Sequence, residues 1–230
     1  MIAILLSGAR QSAAAGPDTG DCVILLHGIG RTSRSMRPLE SYLKKQGCRV
    51  INLGYPSTEY PIEELADFIG EKVEQVSGVQ ASRLHFVTHS LGGILLRCYL
   101  KKNRPENLGR VVMLGPPNRG SELVDRLRKT FLFRIIYGPA GQQLGTEPTG
   151  VPSQLGPVDF ELGVITGSNS LNPLFSYLIP GEDDGKVSVE SAKVEGMADF
   201  LVVPRSHPFI MNSPEVAEQV VHFLRYGRFR

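Results

Sequence analysis

The sequence predicts an α/β fold with a mostly parallel central sheet and helices on both of its faces. Three observations carry that expectation. The run CVILLH (22–27) is apolar throughout, the pattern of a strand covered on both sides. Between 61 and 77, Ile62, Leu65, Phe68, Ile69, Val73 and Val76 recur at three- and four-residue spacing, which makes one apolar face of a helix. Strand-like and helix-like segments then alternate from residue 22 to about 115, the order that builds parallel βαβ units.

The elements follow in order. After the strand at 22–27, residues 33–46 read as a helix closed by Gly47. RVINLGYP (49–56) reads as a strand stopped by Pro56, and Pro61 suits the first turn of the helix over 61–77. LHFVTH (84–89) is a strand, LGGILLRCYLKK (91–102) a helix and RVVMLG (110–115) a strand. The alternation then breaks. Residues 116–160 are rich in glycine and proline and hold the apolar-basic stretch DRLRKTFLFRIIYG (125–138). The economical reading is an insertion over one edge of the sheet, because a long structureless loop inside a compact domain is rare. FELGVITG (160–167) and ADFLVVP (198–204) resume the strands. Pro214 to Arg225 closes the chain as a helix with Val216, Val220, Val221 and Leu224 on one face. The expectation is one domain over 1–230 with a small cap or lid insertion around 118–160.

Composition narrows the function classes. Hydrophobic content of 41% and charged content of 21% are those of an ordinary globular chain. A formal charge of +2, with no basic run interleaved with aromatics, argues against a nucleic-acid partner. Cys22, Cys48 and Cys98 read as buried free thiols, and no His/Cys cluster suggests a metal site. No stretch approaches the roughly 18 apolar residues of a transmembrane helix. MIAILLSGARQSAAAG reads either as a first strand or as a truncated secretory signal, since it lacks a basic n-region. A cytoplasmic location is favoured, with export if Met1 lies inside such a signal.

The chemistry centres on VTHSLGG (87–93). Ser90 falls where a strand ends and a helix begins, a turn that strains its backbone and lifts its hydroxyl above the strand ends. Gly92 and Gly93 relieve the crowding on the helix side, while Thr88 stands where the usual Gly-x-Ser-x-Gly has its first glycine. The competing reading is a serine that merely caps the helix. A serine nucleophile needs a base, and there are five histidines. His85 lies inside a strand, His89 precedes the serine and points away from its hydroxyl, His222 sits on the last helix, and His27 ends the first strand. His207, in a loop just after the last strand, remains as the base. The base in turn needs a carboxylate. GEDDG (181–185) supplies Glu182, Asp183 and Asp184, and Gly185 permits a tight turn that aims Asp184 inward. For the oxyanion, LLHGIG (25–30) follows the first strand. Gly28 and Gly30 let its backbone approach a substrate, so that the amides of Ile29 and Leu91 become the donors. A phosphate cradle is the alternative use of that loop, but the third glycine of a dinucleotide site and a GK[ST] are both missing.

With these segments in view, the chain resembles a bacterial lipase or esterase of the α/β-hydrolase superfamily. LLHGIGRTSRSM, VTHSLGG, LGPPNRGSELVD, GEDDGKVSVESA and RSHPFIMNSPEV carry the likeness, which spans 22 to about 225. The resemblance implies the α/β-hydrolase fold, with chain order Ser90, Asp184, His207, and it selects Asp184 over Asp183 as the Asp before Gly in a "DG-V" segment. His27, Gly28 and Gly30 fall in the oxyanion motif, and His89 and Gly92 in the nucleophile motif. Thr88 and Pro116 depart from the family pattern without touching a reacting atom.

The function expected is carboxylic-ester hydrolysis through an acyl-enzyme, with neither metal nor organic cofactor. Thioester cleavage, acyl transfer or amide cleavage on the same triad, and a non-catalytic binder, are the alternatives. The partner expected is a small-molecule or lipid ester, with transient contact to a lipid interface, and no oligomeric state is implied. Leu127, Phe131, Leu132, Phe133, Ile135 and Ile136 either line an acyl site beneath a cap or pack a helix on the core.

Overall fold

The computed structural model describes residues 20–77 and 81–230. The expectations for Met1 and for MIAILLSGARQSAAAG fall outside that range, as does the side chain of Val76. Six strands, β1 (Cys22–Leu26), β2 (Arg49–Leu53), β3 (Leu84–His89), β4 (Leu108–Leu114), β5 (Leu162–Gly167) and β6 (Asp199–Val203), pair in the order β2-β1-β3-β4-β5-β6. Every neighbouring pair is parallel. The register places Ile24 of β1 beside both Ile51 of β2 and Phe86 of β3.

Alternation along β1 explains why both faces are covered. Ile24 and Leu26 enter one core with Ile62, Leu65, Ile69 and Val73 of α2 (Ile62–Ser77) and with Ile94 and Leu95 of α3 (Leu91–Lys102). Val23 and Leu25 enter the other, against Leu39 and Leu43 of α1 (Arg37–Lys45) and Val216, Val220 and Phe223 of a closing helix over Pro214–Tyr226. All five residues of β1 are buried, as a strand covered on two faces must be.

The region read as one helix over 33–46 divides. Ser33–Met36 is a 3-10 turn, and α1 starts at Arg37 with Pro38 in its first turn. Proline has no N–H to give and its ring clashes with the preceding turn, so the α-helix does not extend back through it. Gly47 follows α1 at φ +85°, the left-handed backbone that ends helices. Residues 207–212, read as loop, form a second 3-10 turn.

Between β4 and β5 lie α4 (Glu122–Leu127), α5 (Phe131–Gln142) and α6 (Val151–Gln154). Arg97 of α3, buried and without a carboxylate partner among the described residues, holds both ends of this segment by donating to the carbonyls of Asn118 (2.9 Å) and Gly156 (2.6 Å). The segment crosses the C-terminal ends of the strands rather than only bordering one edge. It reaches the loop after β2, where Gly138 packs so closely that a Cβ would stand 1.8 Å from the Thr58 carbonyl oxygen. Gly138, at φ +59°, also kinks α5 ahead of Pro139. Two short helices, α7 (Pro173–Leu178) and α8 (Val189–Ala192), and then the long α9 (Pro214–Tyr226) follow in order. Cys22, Cys48 and Cys98 are free and buried.

Candidate active site

The turn from β3 to α3 places Ser90 at φ +53° and ψ −122°, the sole non-glycine residue with positive φ among those described. Such a conformation costs of the order of 1–3 kcal/mol and persists because its surroundings hold it. Here the Ser90 N–H donates to the Leu114 carbonyl at the end of β4 (2.9 Å). Gly92 is required by proximity, since a Cβ there would stand 2.8 Å from both the Leu26 and His27 carbonyl oxygens. Gly93 explains the two departures from the family pattern. A Cβ at Gly93 would stand 3.3 Å from Thr88 Oγ1 and 3.3 Å from Pro116 Cβ, so the missing side chain makes room for both. Thr88 is buried, and its hydroxyl has no partner among the described residues.

Above Ser90 sits His207, just past β6. Its Nε2 is 3.0 Å from Ser90 Oγ, and its Nδ1 is 2.6 Å from Asp184 Oδ2. The other oxygen of Asp184 accepts from the backbone N–H groups of Lys186 (3.0 Å) and Val187 (2.9 Å). In the Nδ1–H tautomer His207 donates to Asp184 and leaves Nε2 to accept from the serine. Asp183 turns away to accept from Gly185 N–H (2.7 Å) and Ser176 Oγ (3.1 Å), and Glu182 is exposed. Ser90, Asp184 and His207 are all buried.

The HGIG loop packs directly on this group. A Cβ at Gly28 would stand 2.7 Å from His89 Nδ1 and 3.1 Å from Ser90 Cβ, so only glycine fits. Ile29 lines the cleft over Ser90, and its N–H has no protein acceptor among the described residues. Leu91 opens α3, where an N–H has no intrahelical acceptor. Gly30 sits in open space, and its N–H donates to Ser57 Oγ (3.1 Å). His27 faces away from the serine. Its ring stacks on Tyr55 at 4.0 Å, its Nδ1–H donates to the Gly28 carbonyl (2.9 Å), and its Nε2 accepts from Tyr55 N–H (3.3 Å). The Tyr55 hydroxyl donates to the His27 carbonyl, clamping the loop from β2. His89 donates from Nε2 to the His207 carbonyl (3.0 Å) and so steadies His207 through its backbone. The sequence reading passed over Tyr55, whose only signal was its place after a strand in NLGYP.

His27, His85 and His89 share one electrostatic condition. Burial depresses each of them below the ordinary histidine range, and for His89 the neighbouring His207, Arg31 and Lys186 add to the effect. His85, far from the cleft, donates to Asp21 (3.2 Å) and accepts from Arg110 N–H (2.8 Å). As pH falls past about 6.5 the unfolded chain takes up protons that the folded protein refuses, so the stability present at neutral pH is lost on acidification. Each histidine contributes up to about 1.4 kcal/mol per pH unit once its unfolded form is fully protonated. Thermal unfolding between pH 7.5 and 5 is therefore expected to show a falling Tm, and a flat profile would contradict neutral burial.

The cleft itself is a cavity of ≈ 50 Å³ walled by Ile29, Leu123, Val124, Phe133, Leu144 and Val187, with Ser90 and His207 at its base. That is smaller than the 150 Å³ or so that admits a benzene ring. Of the two readings of 125–138, neither holds for all its apolar residues. Phe133 and Tyr137 of α5 face the cleft, whereas Phe131, Leu132, Ile135 and Ile136 face solvent. Leu171, Leu174 and Tyr177, at and beside α7, are also exposed, and α7 packs against α4. Among the described residues no helix is long and apolar enough to cross a membrane.

Comparison with known proteins matches residues 23–217 to the alpha/beta hydrolase family. The chain is similar to a triacylglycerol lipase of Burkholderia plantarii, at 27% identity over 161 residues. That match covers 64% of this chain and 41% of the lipase, so the chain spans less than half the length of the curated relatives it matches. Among solved structures, the mature form of a lipase from Bacillus licheniformis superposes with a TM-score of 0.73 at 16% identity, covering 92% of this chain and 94% of that one. Phospholipase PlaB from Legionella pneumophila superposes with a TM-score of 0.71 at 19% identity, covering 91% and 60%. At these identities the likeness is one of fold.

Proposed function

The chain belongs to the alpha/beta hydrolase family, and from that premise we propose that it hydrolyses carboxylic esters, as a lipase or esterase, through an acyl-enzyme on Ser90. The observation that carries the reading is the line of contacts Asp184–His207–Ser90, at 2.6 and 3.0 Å, on a serine held in strained backbone. Ser90 Oγ attacks the ester carbonyl carbon while His207 Nε2 takes its proton. Asp184 keeps the other ring proton on Nδ1 and stabilises the imidazolium. The N–H groups of Ile29 and Leu91 hold the oxyanion. As the tetrahedral intermediate collapses, the ester C–O bond breaks and the leaving alcohol takes the proton from Nε2. Water then attacks the acyl-enzyme by the same route, releasing the acid and restoring Ser90.

The small cavity suits the reacting carbonyl and a short acyl stretch, so a longer substrate must run out over the rim. The segment around 118–160 serves as a small cap on a single domain, and the apolar residues it turns to solvent serve for transient contact with a lipid interface, the use that exposed apolar patches commonly have. A fluorophosphonate probe, read by mass spectrometry, together with turnover of p-nitrophenyl butyrate, octanoate and palmitate, tests the reading. Ser90 must carry the label, and rates are expected to fall with chain length. An unlabelled, inactive protein would end it.

Gly28 offers a separate check on the oxyanion loop. Gly28→Ala forces a methyl against the His89 ring and Ser90 Cβ, displacing the Ile29 amide. Loss of one oxyanion donor costs about 10²–10³-fold in kcat. Steady-state kinetics are expected to show that fall in kcat with KM little altered.

A further inference from the structure

Lys186 is the one permanently charged side chain among the residues lining the cleft with Ser90 and His207. Its backbone is pinned at both ends, the N–H donating to Asp184 Oδ1 (3.0 Å) and the carbonyl accepting from Ser121 Oγ (2.8 Å). From this pinned backbone Nζ reaches Tyr137 of α5. It donates to the Tyr137 hydroxyl at 2.9 Å and lies 4.8 Å from the ring centroid. Neither contact neutralises the ammonium.

No carboxylate ion-pairs with Lys186 among the described residues, and the acids of the neighbouring segments make other contacts, Glu122 through one of its two oxygens. Asp184 holds His207, Asp183 closes its own turn, and Glu122 accepts from the hydroxyls of Ser188 (3.1 Å) and Ser191 (2.8 Å). On the far side of His207, exposed Arg31 follows the HGIG loop and donates to the Pro208 carbonyl (3.4 Å). Both cations act on the same ground, since each helps to keep His89 from taking a proton. The half-buried ammonium thus gains a neutral hydrogen bond and a ring contact from Tyr137 but no opposite charge from the described residues. A ligand that brings a negative charge supplies it. The ammonium has three N–H groups, and Tyr137 uses one, so two remain for an anion's oxygens.

We propose that Lys186 is a specificity-determining residue that binds an anionic group, phosphate or carboxylate, carried by the ester substrate a few atoms from the reacting carbonyl. The proposal deepens the hydrolase reading and rests on it. The anion sits either on the acyl part or on the alcohol part, and the geometry at Nζ serves both.

Two matched pairs of substrates test it with the full chain. For the acyl part, mono-p-nitrophenyl glutarate is compared with p-nitrophenyl pentanoate. For the alcohol part, 1-butyrylglycerol 3-phosphate is compared with 1-butyrylglycerol. The readout is the ratio of kcat/KM, anionic over neutral, within each pair. The wild type is expected to prefer the anionic member of at least one pair by about tenfold or more, the scale of a charge-assisted hydrogen bond. The pair that responds says which part carries the charge. Lys186→Met is expected to bring that ratio near unity, and Lys186→Arg to retain part of it. Tyr137→Phe, which frees the ammonium from its partner, is expected to lower the ratio through KM. A purely structural lysine would slow both members equally, so an unchanged ratio in Lys186→Met overturns the proposal. Wild-type ratios within twofold of unity in both pairs overturn it as well, and this readout does not depend on any variant folding. If the neutral esters are turned over and that turnover needs Ser90, while both ratios are near unity, only the Lys186 proposal fails. If no ester is turned over, the hydrolase reading fails and takes this proposal with it.

Discussion

Ser90→Ala is expected to lower kcat for p-nitrophenyl butyrate by about 10⁴-fold or more, because the acyl-enzyme has no other oxygen on which to form. The fold is expected to survive, since alanine keeps Cβ and its contacts. Ser90→Gly separates chemistry from strain. At φ +53° a glycine pays no steric penalty, so this variant should be as inactive as the alanine one yet melt at an equal or higher temperature. Activity is read spectrophotometrically and stability by thermal unfolding. An alanine variant that turns over ester at the wild-type rate would remove Ser90 from the mechanism.

Asp184→Asn is expected to cost about as much, near 10⁴-fold in kcat, with little change in structure. The reason lies in the partners of its two oxygens. Oδ1 accepts from the N–H groups of Lys186 and Val187, so an asparagine must keep its carbonyl oxygen there. Its NH₂ then faces His207 Nδ1 at the position of Oδ2. Two donors cannot share that contact, and the imidazole moves its proton to Nε2. In that tautomer His207 presents an N–H to Ser90 instead of a lone pair, and the serine loses its base. Steady-state kinetics with the Asn variant check this, and proton NMR of the His207 ring reports the tautomer directly. Wild-type kcat would show that Asp184 serves only to pin its loop.

What the sequence made legible depended on whether the physical signal was local. The wholly apolar β1 announced a strand buried on two faces, and the spacing of Ile62, Leu65, Ile69 and Val73 announced a helix with one buried stripe. Ser90 and His207 could be singled out because each sits at a strand end. The rest needed contacts between distant residues. FLFRII has apolar side chains on every side of α5, so no period distinguishes inward Phe133 from outward Ile135. The room for Thr88 comes from Gly93 and is shared with Pro116 on a different strand end, an arrangement that no single motif spells out. Lys186 meets Tyr137 across 49 residues. Pro38 is a local signal of another kind, since its ring fits the first turn of α1 and marks where the α-helix starts inside the 33–46 pattern.

The order of the sheet has a consequence for how this site would wear out. Ser90 hangs from β3, with neighbours on both sides, but His207 follows β6, which among the described residues has a partner on one side only. Strands at a sheet's margin open at lower free energy than those within it. The hydrogen bonds from His89 to the His207 carbonyl and from His207 N–H to the Asp184 carbonyl are the stitches that hold this margin closed. Fraying that begins at β6 would displace His207 while the Ser90 turn is still intact, so activity that needs both is expected to be lost on heating before the protein melts.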